Sequence, residues 1–304
     1  MRNMDKILTT IGTAAGLLII VGFIKKPDSV YRNDLSQKNP MEGKKVRFVK
    51  NENEIENADG VRGHLEAVSS TYHIPSLYEK YVKRCLDVVL SLGGLIILSP
   101  VFLIISLWIF IDDPGPILFT QKRVGKDKQY FKLHKFRSMK MSTPHDTPTH
   151  MLKNPEKYIT KSGKFIRKHS LDELPQIWDI FIGNMSVVGP RPGLWNQDLL
   201  TAERDKWNAN DIKPGLTGWA QINGRDELEI PVKARLDGEY TAEVTAGGIR
   251  ALLMDIKCFL GSAGVVIFDK NVVEGGNGAH NRSVRQTRDE LSNKDEEVVM
   301  KEDI

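Results

Sequence analysis

The residues best equipped for chemistry lie in one run, His169-Ser170-Leu171-Asp172-Glu173-Leu174-Pro175-Gln176. The apolar stretch Ile177-Trp178-Asp179-Ile180-Phe181-Ile182-Gly183 follows, and then Gly189-Pro190-Arg191-Pro192. Two adjacent carboxylates stand before a proline-initiated helix, with Arg167 and Lys168 ahead of them and Arg191 behind. Such a grouping suits chemistry on a phosphate. One carboxylate can attack phosphorus, a second can hold a metal that neutralises phosphate charge, and arginines can clamp the remaining oxygens. The same residues also fit a plainer role, because Ser170-x-x-Glu173 has the spacing of a capping box at a helix N-terminus. Pro175 counts against the box, since a helix begun at Leu171 would carry the proline past its first turn, where it deletes a hydrogen bond. Neighbouring helical residues point about 100° apart, which suits Asp172 and Glu173 to different tasks rather than to sharing one proton. On these residues alone, both readings stay open.

Two further stretches carry candidate ligands for an anion. Tyr130-Phe131-Lys132-Leu133-His134-Lys135-Phe136-Arg137-Ser138-Met139 interleaves apolar and basic residues, so a strand would put Lys132 and His134 on one face and Lys135 and Arg137 on the other. Either face is a solvated surface or a strip that meets phosphates and lipid headgroups. The block Lys213-Pro214-Gly215-Leu216-Thr217-Gly218-Trp219-Ala220-Gln221-Ile222-Asn223-Gly224-Arg225 is rich in glycine. Its backbone can approach a ligand closely and Arg225 could meet a phosphate; the alternative is a loop packed around Trp219. No Walker loop and no dinucleotide-binding glycine fingerprint is present.

The elements that must position these groups are legible in outline. A chain of 304 residues, 40% apolar and 27% charged, folds as one good-sized domain with appendages. Its net charge of +4 does not demand nucleic acid, and no aromatic-and-basic array suited to stacking single strands is present. Cys85 and Cys258 lie in apolar surroundings without metal-ligand spacing and read as reduced packing residues. Ile7 to Ile24 is an uncharged run of 18 residues, just long enough to cross a bilayer. Lys25 to Lys50 then carries eight Lys or Arg against three acids, which assigns that side to the cytoplasm. The polar residues that follow, to about 79, show no sustained period and read as a linker.

A stronger apolar segment runs from Leu86 to Ile111, 26 residues with the single charge Asp87, and Ser99-Pro100 interrupts it near its middle. Proline deletes a helical hydrogen bond there, leaving two halves of about 20 Å, each too short to cross alone. Basic residues on both flanks favour a segment that dips into the membrane and returns to the same side. Beyond it, Ile117–Gln121 reads as a strand and Ile159–Lys168 as an amphipathic basic segment. Helices are expected over 196–208, with Leu199, Leu200 and Trp207 buried, over 229–240 and over 250–267. Leu252, Leu253, Ile256, Phe259 and Leu260 recur at helical spacing in the last of these, as a core face or, alternatively, an interfacial one. The expected architecture is mixed α/β and helix-rich. Residues 1–26 form a membrane segment, 27–79 a linker, 80–112 the re-entrant helix-break-helix, 113–270 the compact cytoplasmic catalytic domain and 271–304 a charged tail.

With these blocks in view, the chain from about Tyr81 to Ile267 resembles the bacterial sugar transferases, the monotopic polyprenyl-phosphate phosphoglycosyl transferases. The resemblance rests on Lys83-Arg84-x-x-Asp87, Ser99-Pro100, Gln121-x-Arg123-Val124-Gly125, Lys135-Phe136-Arg137-Ser138-Met139, Ser170-Leu171-Asp172-Glu173-Leu174-Pro175-Gln176, Gly189-Pro190-Arg191-Pro192 and Lys213-Pro214-Gly215-Leu216-Thr217-Gly218-Trp219, in that order. It implies transfer of a sugar 1-phosphate from a UDP-sugar to undecaprenyl phosphate at the cytoplasmic membrane face, with release of UMP, as the first membrane step of surface polysaccharide or glycan synthesis. It further implies that Asp172 attacks the sugar-side phosphorus, that Glu173 holds Mg2+, that Lys135, Arg167 and Arg191 lie near the phosphates, and that Ser99 and Pro100 set the re-entrant break. A lipid-acceptor glycosyltransferase releasing UDP and a non-catalytic membrane scaffold are the alternatives. Asp237-Gly238-Glu239-Tyr240 and Asp255 keep the family pattern, whereas Thr245-Ala246-Gly247-Gly248 departs from it. No motif specifies the sugar, and homodimerisation stays open.

Overall fold

Pro100 has no N–H to give to the carbonyl four residues earlier, so the long apolar segment cannot continue as one helix. In the computed structural model, which describes residues 38–143, 155–224 and 228–268, it divides into two helices. Helix α1 spans Tyr78–Ile97, with a π-helical start at Tyr78–Lys83, and α2 spans Ser99–Asp112; the two are bent by 59°. The Ser99 hydroxyl donates to the Ile96 carbonyl at 2.8 Å, which is the acceptor that Pro100 leaves without its usual donor. No single described helix is long and apolar enough to cross a membrane, while this bent pair together meets that requirement by length and composition. One side of α2, through Phe102, Ile105 and Ile109, is buried in a cluster with Leu118, Phe136 and Ile166. Ile104, Leu107, Phe110 and Ile111 on the same helix are exposed.

The two strands expected after α2 pair with each other. Strand β3 (Leu118–Val124) runs antiparallel to β4 (Tyr130–Phe136), from Leu118 opposite Phe136 to Val124 opposite Tyr130. They are preceded in the chain by β1 (Lys44–Lys50) and β2 (Gly63–Ser70). After them come α3 (Lys161–Lys168), a 3-10 turn at Leu171–Glu173, α4 (Gln176–Ile182), β5 (Ser186–Val188) and α5 (Asp198–Asp205). Strand β6 (Gly215–Thr217) lies parallel to β5, and α6 (Trp219–Ile222), α7 (Ile230–Ala246) and α8 (Gly248–Phe268) complete the described chain. The architecture is mixed α/β and helix-rich, as expected. Residues 7–24, the tail 271–304 and Arg225 lie outside the described residues.

Four expectations need correction. Residues 27–79 are not a featureless linker, because β1 and β2 form an antiparallel hairpin packed against α5. Its docking is largely polar, which is why no apolar period betrays it: the Val46 amide donates to Asp205 at 2.8 Å, Lys45 to Asp211 at 3.1 Å, and the Leu200 amide to Asp59 at 3.1 Å. Helix α5 stops at Asp205 rather than Asn208, which takes a left-handed φ of 59°, and Trp207 is 46% exposed while Leu200 is buried. On α8 the apolar stripe faces outward: Leu253, Ile256, Phe259 and Leu260 are exposed, and Ala251, Asp255 and Cys258 form the buried side. That side is chosen by Asp255, whose carboxylate accepts from Lys83 and Tyr78 of α1, both at 2.7 Å, and from Tyr240 of α7 at 2.5 Å. Both cysteines are free, but only Cys258 is a packing residue; Cys85 is exposed.

Candidate active site

Leu171-Asp172-Glu173-Leu174 is built on a period of three. In a 3-10 turn, residues three apart share a side. Leu171 and Leu174 therefore face together and pack against the cluster around α2, which leaves the two acids to project elsewhere. Ser170 enters the turn with a left-handed φ of 53° and its side chain caps nothing, so the capping-box reading does not hold. Asp172 is buried at 3% exposure.

Glu173 turns to two cations instead. Its Oε1 accepts from Lys135 Nζ at 2.7 Å and from Arg191 Nη2 at 2.6 Å, and its Oε2 accepts from Arg191 Nη1 at 3.2 Å. Burial alone would push the Glu173 carboxyl up, but the Arg191 and Lys135 charges beside it win and hold it well below the usual carboxylate range. Lys135 also reaches Asp172, with Nζ 3.8 Å from Oδ2. One ammonium thus bridges both acids, and one guanidinium grips the second with a two-pronged fork.

The loop that carries Arg191 is pinned from both ends. On one side the Gly215 amide donates to the Pro190 carbonyl at 2.8 Å; on the other Arg123 Nη1 donates to the Pro192 carbonyl at 2.9 Å. Gln121 Oε1 in turn holds the Arg123 guanidinium, at 2.6 Å from Nη2. The backbones of the two glycine-bearing blocks touch here. A Cβ on Gly215 would stand 2.0 Å from the Gly189 nitrogen, and one on Gly218 would stand 2.1 Å from the Gly189 oxygen. No side chain fits at that crossing, which gives the glycines at 189, 215 and 218 a steric reason and fixes the height of Arg191 above the acids.

Helix α4 starts directly after the acids, and two side chains fix it. Arg84 of α1 donates to its last carbonyls, Ile180 and Phe181, both at 2.8 Å. Asp179, fully buried, accepts from the His134 amide at 2.9 Å and lies 2.8 Å from His134 Nδ1. Burial pushes the Asp179 carboxyl up against the opposing pull of His134. This carboxylate–imidazole pair escaped the sequence reading, which left His134 on a strand face. The signal available was one acid inside an otherwise apolar helix.

The remaining candidates do not all converge. Arg137 is buried at 6% exposure and donates through both Nη atoms to Asp113, to its carboxylate at 2.8 Å and to its carbonyl. It straps the end of β4 to the end of α2, with both Nη atoms engaged by Asp113. Arg167 occupies the last turn of α3, the element that delivers the chain to Ser170. Ser99 and Pro100 stand at the helix break. Among the described residues no cluster of three or more His, Cys, Asp or Glu side chains could hold a metal ion. A pair of carboxylates nonetheless fits a hard cation such as Mg2+, which takes one or two of them and completes its shell with water and substrate phosphates.

The profile of the family described as bacterial sugar transferase matches residues 78–269. This chain belongs to the bacterial sugar transferase family. Within that family it is 39% identical over 171 residues to the Escherichia coli K12 UDP-glucose:undecaprenyl-phosphate glucose-1-phosphate transferase, covering 54% of this chain and 37% of that protein. It is 33% identical over 190 residues to the exopolysaccharide production protein PSS of Rhizobium leguminosarum bv. phaseoli, covering 60% of this chain and 92% of that one. It is 34% identical over 155 residues to the Aeromonas hydrophila UDP-N-acetylgalactosamine-undecaprenyl-phosphate N-acetylgalactosaminephosphotransferase, covering 49% and 36%. The chain therefore spans little more than a third of two of these relatives and nearly all of the third. The stretch common to the bacterial sugar transferases opens at the first residue of α1 and closes at the end of α8, which leaves the β1–β2 hairpin outside it.

Proposed function

We propose that this protein is a phosphoglycosyl transferase that moves a sugar 1-phosphate from a UDP-sugar to undecaprenyl phosphate and releases UMP. The observation that carries the reading is the buried Asp172 beside a Glu173 held by Lys135 and Arg191. The names of the relatives supply the donor and acceptor classes. In the proposed reaction an Asp172 carboxylate oxygen attacks the sugar-bearing phosphorus of the donor. The P–O bond to UMP breaks, UMP carries that electron pair away, and the phosphosugar remains esterified to Asp172. A phosphate oxygen of undecaprenyl phosphate then attacks the same phosphorus and restores the carboxylate. Lys135 and Arg191 are placed to balance charge on the transferring group, and Arg167 lies near enough in sequence to join them.

Glu173, with Asp172 beside it, would hold Mg2+ together with the donor's diphosphate. When bound, the metal supplies charge neutralisation on the phosphate oxygens. The bent pair α1–α2, apolar on its exposed sides and packed on the domain by its other side, supports a segment that dips into the cytoplasmic leaflet without crossing it. Incubation with UDP-sugars, Mg2+ and undecaprenyl phosphate tests the reaction: UMP is the expected product, and UDP would refute it. Asp172→Asn is expected to abolish turnover and the phosphosugar adduct seen by intact mass; full activity in that variant would remove the nucleophile.

A further inference from the structure

An aromatic ladder leads from α2 to His169 at the end of α3. Trp108 of α2 packs against Phe165 of α3 with ring centroids 5.3 Å apart and planes tilted by 50°, and Phe165 packs against His169 at 4.4 Å and 41°. His169 Nδ1 lies 2.9 Å from the Phe165 carbonyl, which ties its ring to the end of α3, three residues before Asp172. The ladder is open to its surroundings: Trp108 is 38% and Phe165 46% exposed, and His169 is exposed as well. On α2 it continues into Ile104 and Ile111, 65% and 70% exposed, which share the Trp108 side at helical spacing. At its other end the basic side chains of Lys164 and Lys168 are exposed, and Arg167 is half-buried. An apolar strip that starts on the proposed membrane helix thus ends among cations on α3, the helix that leads the chain into Asp172.

We propose that this ladder is the track on which the acceptor docks: its isoprenoid chain lies along Ile104, Trp108, Phe165 and His169, and its phosphate sits among Lys164, Arg167 and Lys168. The inference rests on the phosphoglycosyl transferase reading and adds where the second substrate enters. A prenyl phosphate is one long apolar body with a dianionic end, and the track has the same polarity in the same order. Flat aromatic faces offer large contact area with little conformational entropy to lose. The phosphate end would arrive beside Asp172, where the attacking oxygen is needed.

The test uses the full chain in lipid nanodiscs with undecaprenyl phosphate, a UDP-sugar and Mg2+. Phe165→Ala and Trp108→Ala are each expected to raise the KM for undecaprenyl phosphate about tenfold, the ratio that corresponds to 1.4 kcal/mol. The KM for the UDP-sugar, and the single-turnover burst of UMP without acceptor, should not change. Phe165→Trp keeps an aromatic face and should keep the wild-type KM. Phe259→Ala on the exposed face of α8 removes an aromatic group away from the ladder and should leave the acceptor KM alone. An unchanged acceptor KM in both alanine variants overturns the track, as does a loss of vesicle binding that accounts for the whole defect. The acceptor KM decides the track with or without the burst, whereas a wild-type protein that shows no burst refutes the covalent reading beneath it.

Discussion

Replacing Asp255 with asparagine should unfasten three helices at once. The Asp255 carboxylate receives Lys83 and Tyr78 from α1 and Tyr240 from α7, while Asp255 itself lies on α8. The Lys83 side chain is 7% exposed and its ammonium lies over the Tyr240 ring at 5.6 Å, so water can do little to solvate it once its counter-charge is gone. Leaving one member of a buried ion pair uncompensated costs about 3–5 kcal/mol. At about 2–4 °C per kcal/mol for a domain of this size, the melting temperature should fall by about 6–20 °C. Thermal unfolding in one detergent, wild type against Asp255→Asn, measures it. The companion variant Lys83→Met/Asp255→Asn carries no stranded charge and should regain at least half of the loss. An Asp255→Asn protein that melts within about 2 °C of wild type, less than 1 kcal/mol, would show that the pair is hydrated and that the reasoning from burial is wrong.

Other outcomes follow from the same geometry. Glu173→Gln removes the charge shared by Lys135 and Arg191 and should lower the rate of UMP release by about 10²–10³, the scale of one lost electrostatic group in an active site. Gly163→Ala puts a Cβ 2.0 Å from the Ser138 carbonyl oxygen, a backbone atom that cannot swing aside, and should cost at least about 1–3 kcal/mol in denaturant unfolding. Pro100→Ala returns an N–H to the Ile96 carbonyl in place of the Ser99 hydroxyl; the bend should open, and labelling of cysteines placed on either flank should report the two flanks on opposite sides of the membrane. The Asp198 carboxyl is pushed up to about 6 from an ordinary 3.8, by burial first and by the Asp59 charge second. The folded state therefore keeps this proton longer than the unfolded chain, and stability falls as pH rises between those two values. Asp198→Asn should flatten that part of the urea-unfolding profile.

How much of this was legible in the sequence depends on what each residue reports. The acids at 172 and 173 stood out because two carboxylates beside a helix-initiating proline have few structural uses, and the structure places them on one turn with Lys135 and Arg191 as partners; the helix break was legible because proline acts through covalent geometry. Strand β4 announced itself by its interleaved apolar and basic residues, and β3 by the short run Ile117–Gln121 that follows a proline-glycine turn. The β1–β2 hairpin did not, because it docks through the Asp205, Asp211 and Asp59 carboxylates rather than through an apolar face. The Asp113 partner of Arg137 was hidden for a related reason: strand period tells which side a residue leaves from, not that Asp113 waits at the end of α2. On α8 the usual equation of an apolar stripe with the core failed, since the helix orients by burying one satisfied carboxylate and leaves its leucines outside.

The hairpin also bears on where this protein can be cut. A fragment begun at Tyr78, the first residue of the family match, would discard Val46 and Lys45 along with Asn39, whose amide nitrogen donates to the Lys128 carbonyl at 2.8 Å. Lys128, with no exposed surface, depends on Asp205 at 3.0 Å, and the strand that shields that contact would be gone. Water would enter beside an ammonium that now has none, and the trimmed protein would carry a soft spot under α5. Expression work that follows the family boundary would then record a poorly behaved protein and assign to the family fold a weakness introduced by the scissors.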